Sequence, residues 1–194
     1  MEWCNIALVV MAYDDLHRVR LAPISGSSPG DSDQTMKKPI PKEFLLSSPV
    51  HFVALGFGTG LSTRAPGTVG TSVGFPLFFL LSPLPVAAQV ATLIVFFVGG
   101  CVLCEITGKA LGVADHGGIV WDEIVAFCAV LMTVPAHWAW WVAAFAAFRF
   151  FDIVKPMPIG WFDRRYKNGF GVMFDDVLAA AYAIACLALA EALL

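Results

Sequence analysis

The sequence predicts an all-α protein, a compact bundle of about five or six helices that is embedded in a membrane. Of its 194 residues, 58% are hydrophobic and only 14% are charged, and the mean hydropathy is +0.76. Soluble domains average about 25% charged residues and fewer apolar ones. The apolar residues also form long runs, and the stretch from residue 71 to residue 104 contains no Asp, Glu, Lys or Arg.

Proline residues divide these apolar runs into separate helices. Breaks are expected at Ser82-Pro-Leu-Pro85 and at Pro135, because proline cannot continue a helix. The predicted helices span about 72–82, 86–108, 123–134, 138–151 and 176–193. At about 1.5 Å per residue, the second and the last are long enough, or nearly so, to cross a ~30 Å bilayer core, whereas the first and third are short. A soluble bundle whose helices bury one another is the alternative.

The first 47 residues differ in composition from the rest of the chain. Residues 25–34 are rich in Ser, Gly, Pro and Asp, a composition typical of loops and disorder. Met36-Lys37-Lys38 resembles a natural start. We therefore predict that residues 1–47 are a disordered or dispensable extension and that residues 48–194 form one helical domain.

The prolines also predict how the polar segments are arranged. If each hairpin crosses a membrane and turns at a proline on the far side, three polar segments meet on one face: Gly56–Gly70, Asp115–Glu123 and Arg149–Asp176. Most Lys and Arg residues fall on this face and the far turns have none, so the positive-inside rule makes the face cytoplasmic. The net charge of −3 is small and forms no basic stripe, which argues against nucleic acid as a partner.

The segment Gly56–Gly70 is rich in glycine and is a candidate phosphate-binding site. Glycines such as Gly58 and Gly60 let backbone N–H groups approach an anion, and the helix that begins near Thr71 favours negative charge. The guanidinium group of Arg64 could bind two oxygens of a phosphate at once. The alternative is a tight turn or a helix-packing segment, because the sequence lacks the Gly-Lys-Ser/Thr ending of a nucleotide loop.

The second polar segment holds Asp115, His116, Asp122 and Glu123 just before an apolar helix. Helix capping would explain one acid in this position but not a pair. The carboxylates suit a hard cation such as Mg²⁺. An ionisable group at the edge of an apolar helix is expensive to place, so these residues are functional candidates.

The third polar segment contains acids and bases at helical spacing. Arg149, Asp152 and Lys155 are three residues apart and would share one face of a helix. Asp163, Arg164 and Arg165 follow, and Asp175 with Asp176 would open the last helix. No nucleophile motif is present, since the sequence lacks G-x-S-x-G and Cys-x₅-Arg. Water activated by a metal is therefore the better mechanistic prediction.

Together, these segments resemble the phosphatidylglycerophosphatase A family. The resemblance covers about residues 48–192, and the matching segments appear in family order. They are Gly56-Phe-Gly-Thr-Gly-Leu-Ser with Pro66-Gly-Thr-Val-Gly70, Ile119-Val-Trp-Asp-Glu123, Phe148-Arg-Phe-Phe-Asp-Ile-Val-Lys-Pro156, Pro158-Ile-Gly-Trp-Phe-Asp-Arg164 and Gly171-Val-Met-Phe-Asp-Asp-Val177. Five such segments are far more specific than any one alone.

The resemblance implies a Mg²⁺-dependent phosphatase that converts phosphatidylglycerophosphate to phosphatidylglycerol and phosphate. It would lie in the bacterial inner membrane with its active site facing the cytoplasm. The expected metal ligands are Asp122, Glu123, Asp152, Asp175 and Asp176. The expected catalytic residues are Asp122, Glu123, Asp152, Asp163 and Asp176, with Asp163 or His116 as proton shuttle. The expected phosphate-binding residues are Arg64, Arg149, Lys155, Arg164, Gly58 and Gly60.

Other functions remain open at this stage. A phosphatase for another lipid phosphate would need the same chemical groups. A small membrane transporter with a charged lining is a second class, although transport sites lie near mid-membrane and these groups cluster at one face. A structural membrane subunit with capped helices explains the acid–base segments poorly. The sequence makes no prediction of the oligomeric state.

Overall fold

The computed structural model describes residues 39–193, and all regular secondary structure in this range is helical. The elements are α1 Lys42–Leu46, α2 Pro49–Ala54, a 3₁₀ segment Gly56–Leu61, α3 Pro66–Ser72, α4 Gly74–Leu81, α5 Val86–Leu111, α6 Trp121–Leu131, α7 Trp138–Val154, α8 Ile159–Arg165 and α9 Gly169–Leu193. Five of these described helices (α4, α5, α6, α7 and α9) have eight or more residues and make up the bundle. The all-α prediction is confirmed.

The predicted proline breaks are confirmed. α4 ends at Leu81 and α5 begins at Val86, on either side of the predicted turn. The second hairpin turns between Leu131 and Trp138. α5 runs slightly beyond its predicted end and stops before Gly112, whose φ of 77° is the left-handed conformation that commonly ends a helix.

The predicted start of the last helix is wrong. α9 begins at Gly169, seven residues before the predicted position, so Asp175 and Asp176 lie about two turns inside it and do not open it. The helix starts early because the side chain of Asn168 accepts a hydrogen bond from the Gly171 N–H at 2.9 Å. A polar side chain in this position satisfies a backbone donor that has no partner within the helix.

α4 confirms the first predicted helix, but the structure adds a short helix, α3, in front of it. Residues 66–81 form two short helices, α3 and α4, which are joined at Val73. α3 begins at Pro66, because the fixed φ of proline suits the first turn of a helix and its missing N–H costs nothing there. Part of the glycine-rich segment is therefore helical, and Thr71 lies in the last turn of α3 and not at a helix start.

The core forms on both sides of α6. On one side Trp121 and Ile124 pack in a cluster with Met173 of α9. On the other side Phe127 packs in a cluster with Phe148 of α7. Because α6 is buried along most of its length, its first turn, which carries Asp122 and Glu123, lies in the interior of the bundle.

The predicted N-terminal extension falls mostly on residues 1–38, which lie outside the described residues. Within the described part of this extension, Ile40, Phe44 and Leu45 pack against the core. The boundary at residue 47 stays a prediction.

Two of the described helices, α5 and α9, are long and apolar enough to cross a membrane. Their most apolar 18-residue stretches have mean hydropathies of 2.3 and 1.9. α5 also exposes large apolar side chains along its length, including Val90, Ile94 and Val98. Length and composition are consistent with a membrane protein, although the core helix of a soluble protein can satisfy the same criteria.

Candidate active site

The first turn of α6 places two carboxylates in the interior. Asp122 is buried, and its Oδ1 accepts a hydrogen bond from the Glu123 N–H at 2.9 Å. Burial raises the pKa of the Asp122 carboxyl well above its usual value, and the negative charge of Glu123 raises it further. Two adjacent acids in such a place are costly unless they interact with a cation.

Arg149 on α7 supplies one such cation. Its Nη1 lies 2.7 Å from Glu123 Oε2 and 2.6 Å from Asp152 Oδ2, and none of the three side chains is more than 14% exposed. The prediction that Arg149 and Asp152 share one face of a helix is confirmed. Burial raises the pKa of Glu123 to about 7 even though the Arg149 charge opposes the shift. This triad carries one more negative than positive charge when both carboxyls are ionised.

Lys155 does not share this helix face, and that part of the prediction is wrong. It follows the last residue of α7 with a φ of 44°, a left-handed conformation that turns the chain away from the helix before Pro156. Its Nζ lies 3.2 Å from Asp163 Oδ1 and forms an ion pair with Asp175. Burial lowers the pKa of the Lys155 ammonium, but the neighbouring carboxylates, Asp175 first, raise it more, so the group stays charged.

α9 completes the cluster with Asp175 and Asp176, which are both buried. Asp175 bonds Lys155, whereas Asp176 Oδ2 is buried without any hydrogen-bond partner. Asp152 and Asp122 are close enough to Asp176 to repel its charge. A buried acceptor without a partner is rare in proteins and is a place where an ion or a ligand can bind. We call Asp122, Glu123, Asp152, Asp175 and Asp176 the carboxylate cluster.

α3 covers one side of this cluster with very small residues. A Cβ atom added to Gly67 would lie 2.2 Å from Glu123 Oε1 and 3.0 Å from Arg149 Nη2, so a larger residue would displace these two side chains. One turn later, the Thr71 hydroxyl lies 2.6 Å from Glu123 Oε2. Thr71 was not among the predicted site residues. The only signal was a hydroxyl residue placed one helical turn after a glycine.

The predicted meeting of the three polar segments is confirmed by these contacts, but some predicted residues do not join the cluster. Arg64 and Arg164 are exposed and form no ion pair within residues 39–193. Gly60 packs against backbone, since an added Cβ would lie 1.9 Å from the Gly118 carbonyl oxygen. Gly58 has a φ of 99°, as a tight turn requires.

His116 is buried in the loop between α5 and α6. Its Nδ1 accepts a hydrogen bond from the Gly118 N–H at 3.1 Å. Asp163 bonds Lys155 and Lys167. The proton-shuttle roles of His116 and Asp163, and the phosphate-binding roles of Arg64, Arg164, Gly58 and Gly60, stay predictions.

The cluster fits a hard metal ion in its chemistry, although no ready-made metal site is formed. Within the part of the chain that the structure describes, no three His, Cys, Asp or Glu side chains are arranged to hold a metal. The five members of the carboxylate cluster nevertheless outnumber the two partly buried cations, Arg149 and Lys155, that pair with them. Carboxylate oxygens are the ligands that Mg²⁺ prefers, and Asp176 Oδ2 is an oxygen without a partner.

Comparison with known proteins decides the family. A family model described as phosphatidylglycerophosphatase A matches residues 52–191. The chain belongs to the phosphatidylglycerophosphatase A family. This range contains the whole carboxylate cluster and both cations, and the family resemblance predicted from the sequence is confirmed. Membership in the phosphatidylglycerophosphatase A family identifies the chain as a phosphatase.

Three curated relatives extend this result. A phosphatidylglycerophosphatase A of Haemophilus influenzae is 50% identical over 145 residues, which cover 74% of this chain and 89% of the relative. A phosphatidylglycerophosphatase A of Escherichia coli K12 is 44% identical over 138 residues, which cover 69% and 78%. A putative phosphatidylinositol-3-phosphatase of Bacteroides thetaiotaomicron is 37% identical over 146 residues, which cover 72% and 91%. No solved structure matches the chain.

Proposed function

We propose that this protein hydrolyses the phosphomonoester of phosphatidylglycerophosphate to phosphatidylglycerol and phosphate, with Mg²⁺ as cofactor. The observation that carries the proposal is the buried acid–base cluster, in which a donor and an acceptor both lack partners. The donor is Arg149 Nε and the acceptor is Asp176 Oδ2. A phosphate oxygen would satisfy the donor, and a cation would satisfy the acceptor. The two relatives named phosphatidylglycerophosphatase A support the choice of substrate.

Arg149 and Lys155 bind the phosphoryl oxygens in this proposal. Arg149 has a free Nε and is held by two carboxylates, so its guanidinium is already oriented when the substrate arrives. Lys155 keeps its charge because Asp175 and Asp163 surround it. Phosphoryl transfer depends more on positioning and charge neutralisation than on covalent chemistry. Arg164 would add a contact to the phosphoryl oxygens, and Arg64 with the glycine loop that holds Gly58 and Gly60 would form a second phosphate cradle.

The carboxylate cluster would hold the magnesium ion. When bound, the ion would neutralise phosphate charge and lower the pKa of a water molecule. Asp175 and Asp176, the most deeply buried acids of the cluster, would favour a cation beside them. In this proposal Asp163, which is bonded to Lys155, would carry a proton to the departing lipid alcohol, with His116 as the alternative carrier.

The membrane location belongs to the same proposal. α5 and α9 would cross the inner membrane, and the exposed valines and isoleucines of α5 would face the acyl chains. The carboxylate cluster would then open to the cytoplasmic side, where the lipid head group can reach it while its acyl chains stay in the bilayer.

A second candidate is a phosphatase for a different lipid phosphate. One relative, at 37% identity, is named a putative phosphatidylinositol-3-phosphatase. The same acids and bases would serve either substrate, since both carry a phosphomonoester. The lipid head group therefore has to be decided by direct comparison of substrates.

The test is phosphate release by the purified full chain in mixed micelles. Three lipids are compared at equal surface concentration: phosphatidylglycerophosphate, phosphatidylinositol-3-phosphate and phosphatidic acid. Each is assayed with Mg²⁺ and then with excess chelator. We expect release from phosphatidylglycerophosphate to be fastest and to vanish with chelator. Faster release from another lipid overturns the substrate, and release that survives chelation overturns the cofactor.

A matched pair of variants tests the role of the cluster. Glu123→Gln removes a charge beside Arg149, whereas Glu43→Gln removes one on the exposed surface of α1. We expect Glu123→Gln to lose at least a hundredfold in turnover, which is the usual scale for removing a group that stabilises transition-state charge. Glu43→Gln should keep wild-type activity. Equal activity of the two variants would show that the cluster takes no part in the reaction.

A further inference from the structure

Thr71 is the residue at the centre of the site whose role the proposed function leaves open. It lies in the last turn of α3 and is 0% exposed. Its hydroxyl has three neighbours: the Gly67 carbonyl oxygen at 2.8 Å, Glu123 Oε2 at 2.6 Å and Arg149 Nη1 at 3.3 Å. One small side chain therefore touches both members of the central ion pair.

A hydroxyl group has one hydrogen and two lone pairs, which limits what these contacts can be. Arg149 can only donate, so the Thr71 oxygen accepts from it. The single hydrogen goes either to the Glu123 carboxylate or to the Gly67 carbonyl. The hydroxyl can turn between these two acceptors, and neither position leaves its own hydrogen without a partner.

A purely structural role explains only part of this arrangement. Threonine in a helix commonly bonds the carbonyl four residues earlier, and the Gly67 contact is of this kind. Thr92 on α5 shows that contact by itself, since its hydroxyl bonds the Ala88 carbonyl at 2.8 Å. Thr71 differs from Thr92 because it also contacts a buried carboxylate and a buried guanidinium from two other helices.

We infer that Thr71 is a positioning residue that holds Glu123 against Arg149 and lets the Glu123 carboxylate exchange partners during turnover. When Glu123 Oε2 turns to another partner, the Thr71 hydrogen moves to Gly67 and no buried donor is left unsatisfied. Leaving such a donor unsatisfied is costly, so the alternative acceptor lowers the cost of moving Glu123. This inference rests on the proposed function only in taking Glu123 and Arg149 as the reacting site.

The first experiment separates the hydroxyl from the shape of the side chain. Thr71→Val keeps the shape and removes the hydroxyl, and Thr71→Ser keeps the hydroxyl. Thr92→Val is the matched control, because it removes a helix back-bond far from any carboxylate. We expect Thr71→Val to lower kcat roughly ten- to hundredfold, the effect of losing one hydrogen bond to a charged group, with KM changed less than about threefold. Thr71→Ser and Thr92→Val should stay within about threefold of wild type.

Two results would overturn the inference in this assay. One is a Thr71→Val variant with wild-type kcat. The other is a Thr71→Ser variant as slow as Thr71→Val. In that case the hydroxyl does not restore kcat, and the loss of activity comes from altered packing.

A second experiment needs no activity and keeps the inference separate from the proposed function. Thr71→Val, Glu123→Gln and the double variant are compared by thermal unfolding of the full chain in detergent. We expect the double variant to lose less in melting temperature than the sum of the two single variants, because the two side chains share one interaction. Additive losses would overturn the inference. If the wild-type protein released phosphate from no lipid, the proposed function would fail while this comparison still decided the role of Thr71.

Discussion

α5 and α9 are similar in length and in apolar character, but they differ in how much of each helix is buried. They have 26 and 25 residues, and both are apolar enough to cross a membrane. Only 17% of the most apolar stretch of α5 is buried, against 44% of that of α9. α5 turns valine and isoleucine side chains outward, whereas α9 turns two aspartates inward. Hydropathy therefore finds both helices but does not distinguish a helix with exposed apolar side chains from one with buried acids.

The small residues of α9 explain the difference. Ala179, Ala180 and Ala183 are buried where α9 packs beside α6 and α7. Close helix packing of this kind brings the backbones near one another and places the acids of α9 beside those of α6 and α7. α5 has its bulky residues on the outside and contributes no acid to the carboxylate cluster.

The largest expected effect comes from removing the unpaired acid of α9. Asp176→Asn should lower turnover roughly a hundred- to a thousandfold, because it removes a charge at the centre of the cluster. Phosphate release from the lipid measures it. Glu191→Gln, at the exposed end of the same helix, is the control and should be fully active. If Asp176→Asn kept wild-type turnover, the charge of Asp176 would have no role in the reaction. The difference between α9 and α5 would then be one of packing alone.

The next effect tests the outer face of α5. Val98 is 54% exposed near the middle of this helix. Val98→Lys should destabilise insertion by about 3 kcal/mol if the face lies in the hydrocarbon core, whereas Val98→Leu should have no effect. The fraction of protein that resists alkaline extraction from membranes measures the change. A lysine variant that inserts as well as wild type would mean that this face of α5 does not contact lipid.

A smaller effect compares glycines in two helices. Gly67→Ala places a methyl group against Glu123 and Arg149, so turnover should fall roughly tenfold as the ion pair is displaced. Gly99→Ala on α5 meets no atom within 4 Å and should be active and slightly more stable. Turnover and melting temperature are measured for both variants. Equal behaviour of the two alanine variants would contradict the close packing of α3 on the cluster.

The smallest effect concerns one hydrogen bond between the two compared helices, α5 and α9. Glu105 of α5 accepts a hydrogen bond from the Gly169 N–H at the start of α9, with Oε2 at 2.6 Å. Glu105→Ala should cost about 1 kcal/mol of stability, as for the loss of a helix cap, and Glu105→Gln less. Thermal unfolding measures this cost. Lys109→Ala removes the exposed partner of Glu105 and serves as the control, since it leaves the cap in place. If Lys109→Ala were as destabilising as Glu105→Ala, the lost stability would come from the Lys109–Glu105 ion pair and not from the helix cap.

The sequence predicts the helices and the acids well because both depend on local signals. Proline fixes the hairpin turns at Ser82–Pro85 and Pro135, and charge stands out in an apolar chain. The start of α9 depends on two contacts, and only one of them is local: Asn168 caps the helix from the adjacent position, whereas Glu105 supports it from 64 residues away. The position of Lys155 depends on one left-handed residue, and the role of Thr71 depends on Glu123, 52 residues further along. Contacts at such separations leave no periodic pattern in a single sequence.

The early start of α9 sets how far along this helix its two aspartates lie. Asp176 lies seven residues after Gly169, which at about 1.5 Å per residue is about 10 Å along the helix axis. If the carboxylate cluster binds the lipid phosphate as proposed, the phosphate ester lies beside the second turn of α9 and not at its first residue. Release of the phosphate ion would then be a step of its own, in which a doubly charged product leaves the positive charge of Lys155.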